Sequence, residues 1–201
     1  MFHQKNPLFY MNYLKKYLFF LLFISTEFAA YAQVPRYKMW DKRFGAPDAD
    51  LCNKIIQTAD SGYIIAGSSQ SDSALDKSQH NWNYTGFSAD LWIVKTDAQG
   101  NIQWEKRFGT PMDERSISII QTKDFGYLIC SSAQADSSGD KTQNNWDTTL
   151  SSADFWILKI DALGNKQWDK RYGGTSGDGC AVVRQTNDGG YFWQEVPPLK
   201  I

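Results

Sequence analysis

The sequence predicts an all-β chain of tandem four-stranded antiparallel repeats, and three observations carry that prediction. The first is a hexapeptide that returns twice: Trp40-Asp41-Lys42-Arg43-Phe44-Gly45, Trp104-Glu105-Lys106-Arg107-Phe108-Gly109 and Trp168-Asp169-Lys170-Arg171-Tyr172-Gly173. Its spacing is 64 residues both times, and residues 40–103 laid over 104–167 without a gap share 35 identities. A fixed period means copies of one supersecondary unit. The second observation is that each full copy holds four short runs rich in β-branched and aromatic residues, separated by Gly-, Asp- and Asn-containing turns. The third is that no run places its apolar residues at helical spacing.

Taken in order, residues 38–44 form the first predicted strand, half-buried through Trp40 and ended by Gly45. The second covers 52–58, 116–122 and 180–186, centred on Ile55-Ile56, Ile119-Ile120 and Val182-Val183. A tight turn follows at Asp60-Ser61-Gly62, Asp124-Phe125-Gly126 and Asp188-Gly189-Gly190, where the Asp caps its own backbone and the Gly takes a positive φ. The return strand starts at Tyr63, Tyr127 or Tyr191 and completes a hairpin. A long polar loop, 68–89 or 132–153, precedes the fourth strand, 90–95 or 154–159, and Asp97 to Asn101 or Asp161 to Asn165 turns into the next Trp run. Four antiparallel strands with one long excursion make up a propeller blade, so the copies 40–103, 104–167 and the half-copy 168–201 predict a partial, open β-propeller-like arc. A sandwich would give no reason for a strict repeat. Two and a half copies are too few to close a ring, which predicts a fragment of a longer propeller that self-associates through open sheet edges.

Residues 1–32 differ in kind. Lys5, Lys15 and Lys16 precede an apolar run from Tyr17 to Ile24, and Ala30-Tyr31-Ala32 offers the small residues of a cleavage site. They read as a signal peptide ahead of a β-repeat domain at 33–201, with a run too short to span a bilayer and no stable membrane span after removal. Taking away that segment moves the net charge from −1 to −3. A mildly acidic chain without a basic patch excludes nucleic acid as the expected partner. Cys52 and Cys180 share a repeat position with Ser116, and Cys130 shares one with Ala66, which predicts small buried thiols; a Cys52–Cys180 bridge is the alternative.

Three motifs in combination, Trp-x-Lys-x-Phe/Tyr-Gly, Gln-Thr-x-Asp-x-Gly-Tyr and Asp-x-Trp-Ile-Val/Leu-Lys-x-Asp-x-x-Gly-Asn, resemble the secreted repeat proteins of Bacteroidota-type bacteria. The resemblance covers residues 40–193 and implies an extracellular β-propeller-like protein, in a family that often carries a type IX secretion sorting domain. No such sorting domain is expected in residues 174–201, and Phe192-Trp193-Gln194-Glu195-Val196-Pro197-Pro198 departs from the Ile-x-Gly-Ser run expected after Tyr191. The Gln-Thr-x-Asp-x-Gly element also partly resembles the Asp-box of sialidase-type propellers, which implies a structural Asp at a hairpin turn.

Chemistry is sparse. The histidines are His3, within the signal, and His80, which aligns with Asn144, so neither a Ser-His-Asp nor a His-ligated zinc site is expected. No catalytic, cofactor-binding or metal residue is assigned. Asp72, Asp76, Asp136 and Asp140 could surround calcium but read more simply as capped loop turns beside Lys77 and Lys141. Trp82 and Trp146 could stack on a sugar or partner, and are expected instead to fold back over the sheet. Asn83-Tyr84-Thr85 matches a glycosylation acceptor that the second copy lacks, with Asp147 in place of Asn83. Trp40, Trp92, Trp104 and Trp156 are expected to be mostly buried. The resulting expectation is an exported, non-enzymatic module for binding or scaffolding at the cell surface, with an unknown protein or glycan as partner. The alternative is a carbohydrate-binding or carbohydrate-active propeller.

Overall fold

The computed structural model describes residues 40–83 and 88–195. The signal segment 1–32, Pro197-Pro198, and Tyr84 with Thr85 of the glycosylation motif lie outside the described residues. Ten strands and no helix make the described chain all-β. The first sheet is β1 (Asp50–Gln57), β2 (Tyr63–Ser69), β3 (Asp90–Thr96) and β4 (Ile102–Phe108). The second is β5 (Glu114–Gln121), β6 (Tyr127–Ala133), β7 (Asp154–Ile160) and β8 (Lys166–Tyr172). A hairpin of β9 (Cys180–Gln185) and β10 (Tyr191–Glu195) follows. Each sheet is an antiparallel meander in chain order, and among the described residues no barrel closes, which leaves an open propeller-like arc.

The Trp run therefore closes a sheet rather than opening one: Trp104 pairs Lys95 and Trp168 pairs Lys159 across the last ladder. The expected strand at 38–44 is a correction, because residues 40–44 carry no strand. A strand exists only with a ladder partner, and the partner of this run in the later copies is the strand before it, β3 or β7. Trp40 nonetheless takes the place of an outer-strand tryptophan. Its ring meets Tyr63 edge-on at 5.5 Å, as Trp104 meets Tyr127 at 5.9 Å. Its indole N–H donates to Ala98 O (2.9 Å), as that of Trp104 donates to Ala162 O (3.1 Å). Trp40 and Trp104 are only half-buried for this reason, whereas Trp92 and Trp156 on the third strands are buried.

Side chains alternate across each strand, so even-numbered residues of β2 face the next sheet and odd-numbered residues of β6 face the previous one. Ile64, Ala66, Leu91, Ile93 and Phe108 thus meet Ile119, Tyr127, Ile129, Trp156 and Leu158 in one core. Leu128, Cys130, Phe155 and Ile157 meet Cys180 and Val183 in a second, between β5–β8 and the hairpin. Here the expectation of free thiols fails: Cys130 and Cys180 are bridged, with Cα atoms 5.9 Å apart, and the exposed Cys52 is free. The two halves come from different repeat positions that alternation turns toward each other across an interface, which a comparison of like positions does not reveal.

The tight turns also differ in one detail. Positive φ falls on Ser61 (67°), Phe125 (63°) and Gly189 (91°), one residue before the glycine that was expected to take it. Gly62 and Gly126 are needed for room instead, since a Cβ there would meet Thr96 O or Ile160 O at 2.1 or 2.4 Å. Asp60 accepts from Thr58 Oγ1, from Gly62 N (3.1 Å) and from the buried Lys95 Nζ (2.8 Å). The Lys95 ammonium and the Thr58 hydroxyl hold its carboxyl down at about 2. Asp124 repeats this arrangement with Thr122 and Lys159.

Candidate functional site

The long loops between the second and third strands, 70–89 and 134–153, hold most of the polar side chains singled out from the sequence. Each is built around a buried lysine. Lys77 Nζ donates to Ser71 O (2.7 Å), Gln79 O (2.8 Å) and Asn81 Oδ1 (2.7 Å). Lys141 Nζ donates to Ala135 O (2.8 Å), Gln143 O (2.5 Å) and Asn145 Oδ1 (2.8 Å). Three acceptors converge on one ammonium because a buried cation must satisfy every N–H it carries. The cation at the centre of the loop is thus the chain's own side chain.

The four loop aspartates go to different places. Asp72 and Asp136 accept the backbone N–H of Asn81 (3.2 Å) and Asn145 (2.9 Å), closing their own loops. Asp76 accepts from Gly45 N (3.1 Å), and Asp140 accepts from Gly109 N (3.0 Å), Arg107 Nη1 (2.7 Å) and Trp82 Nε1 (3.0 Å). Asp140 therefore ties the second loop to the first sheet. Among the described residues no three His, Cys, Asp or Glu side chains group so as to hold a metal ion.

Trp82 and Trp146 do not fold back over the sheet. They are 42% and 59% exposed, and each is clamped on one face by the arginine of the repeated hexapeptide. Arg107 lies 4.9 Å from the Trp82 ring centre and Arg171 lies 4.4 Å from that of Trp146. The arginines are fixed in turn: their backbone N–H groups donate to Gln79 and Gln143 Oε1 (2.8 Å each), and their Nε atoms face Asp90 (3.5 Å) and Asp154 (3.6 Å). Asp90 and Asp154 are wholly buried and accept the backbone N–H of Trp82 (2.9 Å) and Trp146 (3.0 Å). Burial pushes Asp90 up to about 6. The glycine ending the hexapeptide belongs to this unit, because a Cβ at Gly109 would stand 2.4 Å from the Asp90 carboxyl carbon.

Sequence reasoning places the hexapeptide arginine in a half-buried strand and does not reveal the stack; the signal is the joint recurrence of Trp82 with Arg107 and of Trp146 with Arg171. It also missed Glu114, fully buried and accepting from Thr110 N (3.0 Å) and Thr110 Oγ1 (2.6 Å). Burial drives its carboxyl well above the usual range. An acid recurs there as Asp50 and Asp178, each accepting a backbone N–H four residues earlier.

One constellation has the residue types of a hydrolase triad. His80 Nδ1 lies 2.8 Å from Asp72 Oδ1, and Ser73 Oγ lies 3.3 Å from both ring nitrogens of His80. A base activates a serine by aligning one nitrogen lone pair with the hydroxyl. An oxygen equidistant from both nitrogens is not so aligned, and the group is solvent-exposed. In the second copy Asn144 accepts Ser137 N (3.0 Å), a plain loop contact.

No protein-family model matches the chain, and no curated protein matches it. Among the described residues no helix is long and apolar enough to cross a membrane.

Proposed function

We propose that the protein is an exported, non-enzymatic β-repeat module that binds or scaffolds at the cell surface through its long loops. The single observation that carries this reading is the pair of half-exposed tryptophans, each presented on a fixed arginine and a buried carboxylate. A tryptophan left exposed normally gains by collapsing onto apolar surface. Here the ring is held out and oriented, which lowers the ordering cost of stacking it against a partner. A protein or glycan is the partner class that such a platform suits. Self-association through free sheet edges belongs to the same reading, and sedimentation of the mature chain reports it.

The test is saturable binding of fluorescently labelled mature chain to intact bacterial cells, compared with a Trp82→Ala, Trp146→Ala variant. Binding that the double variant loses while its unfolding transition is retained supports the reading; no saturable binding refutes it. The exposed rings also favour a carbohydrate-binding reading, and a printed oligosaccharide array separates the two. Retention of the parent on defined sugars, lost in the double variant, selects the glycan.

A further inference from the structure

The first sheet exposes, on one face, residues whose counterparts in the later units are buried. Ile55 is 56% exposed where Ile119 is 0% and Val183 is 2%. Cys52 is exposed where Cys180 is 4%. These residues, with Leu51, line a cleft of about 400 Å³ bounded on the other side by Trp40 and Phe44.

The two built interfaces show what covers this face. The inner strand β5 packs against β1, β2 and β3 of the sheet before it, and β9 packs against β5 and β6. Each inner strand is covered by the inner strands of its predecessor. Among the described residues only the outer-strand place on the first sheet is filled: Trp40 sits on Tyr63, and Gly45 N donates to Asp76 Oδ2 as Gly109 N donates to Asp140 Oδ2. The cleft beside β1 is the space that the inner strands of a preceding sheet would take. In the second interface that contact carries the bridge from Cys130 on β6 to Cys180 on β9. Cys52 stands at the repeat position of Cys180.

We propose that this face docks an antiparallel β-meander of the same repeat pattern, and that Cys52 locks it through a disulfide to a cysteine at the position of Cys130. The bond forms as two thiols give up two protons and two electrons to a small-molecule disulfide, which leaves as two thiols. The chain's own far end does not serve as this meander. On the outer face of the β9–β10 hairpin Arg184 replaces Ile56 and Ile120, and Gln194 replaces Ala66 and Cys130. On that face the two polar residues interrupt the apolar pattern beside the exposed Val182 and Phe192, and no thiol stands at the required position. The inference stands apart from the loop-binding reading, because it concerns the opposite surface chemistry on a different element.

The same hairpin supplies the test. A donor mature chain carrying Arg184→Ile, Gln194→Cys and Cys52→Ser restores the repeat pattern on its outer face, at two exposed positions. It is mixed with the parent chain in a glutathione redox buffer, and adducts are resolved on non-reducing gels with peptide mapping. The expected product is a heterodimer bridged from Cys52 of the parent to the thiol introduced by Gln194→Cys in the donor. It should exceed, at least about tenfold, that from a control donor with Thr148→Cys and Cys52→Ser, because docking raises the local thiol concentration. Equal yields, no adduct, or Cys52–Cys52 dimers of the parent at comparable yield would overturn the proposal. Alkylation of Cys52 by iodoacetamide gives a second reading: a reduced donor should slow it, and an unchanged rate would count against docking.

Discussion

Replacing Cys130 by alanine and Cys180 by serine should lower the stability of the chain by about 4 kcal/mol. The two residues chosen are those the chain itself has at the corresponding places of its first interface, Ala66 and Ser116, so the change is compatible with the packing of such an interface. The bridge spans a sequence separation of 50 residues. Closing a loop of that length removes about 14 cal/mol/K of entropy from the unfolded chain, or about 4 kcal/mol at 25 °C. The full effect is expected because the hairpin is otherwise joined to the second sheet by a modest set of contacts. Val183 sits among Leu128, Phe155 and Ile157, Trp168 meets Tyr191 at 5.9 Å, and Lys123 N donates to Gln185 Oε1 (2.9 Å). An isolated two-stranded hairpin is marginal in water, so its order depends on this attachment. Urea unfolding followed by tryptophan fluorescence measures the difference, and reducing the parent with dithiothreitol should give the same shift without any substitution. Amide exchange across β9 and β10 should accelerate in step. Agreement of the midpoints to within about 0.5 kcal/mol, with the hairpin still protected, would refute the reasoning.

Phe125→Gly should stabilise the chain by up to about 1 kcal/mol, since an L-residue in the left-handed region is strained and the third turn already uses Gly189 there; a clear loss in the urea midpoint would show that the exposed ring contributes packing instead. Lys141→Met should cost about 3–5 kcal/mol, because it strands Ala135 O, Gln143 O and Asn145 Oδ1 around an apolar side chain; an unchanged thermal midpoint would refute the lysine-centred loop. For Asp90 the folded value, about 6, lies above the unfolded one. Between roughly pH 4 and pH 6 the folded state therefore holds a proton that the unfolded chain has released, and this group's contribution is lost as pH rises through 6, by up to about 3 kcal/mol. Glu114 acts in the same sense. Urea midpoints from pH 4 to 7.5 should fall in the parent and fall less in Asp90→Asn; parallel curves would contradict this assignment.

The features legible from the residues alone are local and periodic. The alternation of Ile55-Ile56 or Tyr127-Leu128-Ile129, the Asp-x-Gly turns and the Asp97 and Asp161 turns each follow from a few neighbouring residues, and their recurrence every 64 residues made the meander legible. Tertiary structure decided what depends on the register between sheets. Cys130 and Cys180 occupy unlike repeat positions, and only the packing of β6 against β9 makes them partners. Trp82 reaches Asp140 across 58 residues because the second loop overlies the end of the first sheet. Residues 40–44 have the sequence of a strand and lack one because a ladder needs a second chain segment. Burial of Asp90 and Glu114 was likewise hidden, since an acid in a polar stretch reads as solvated until the fold removes its water.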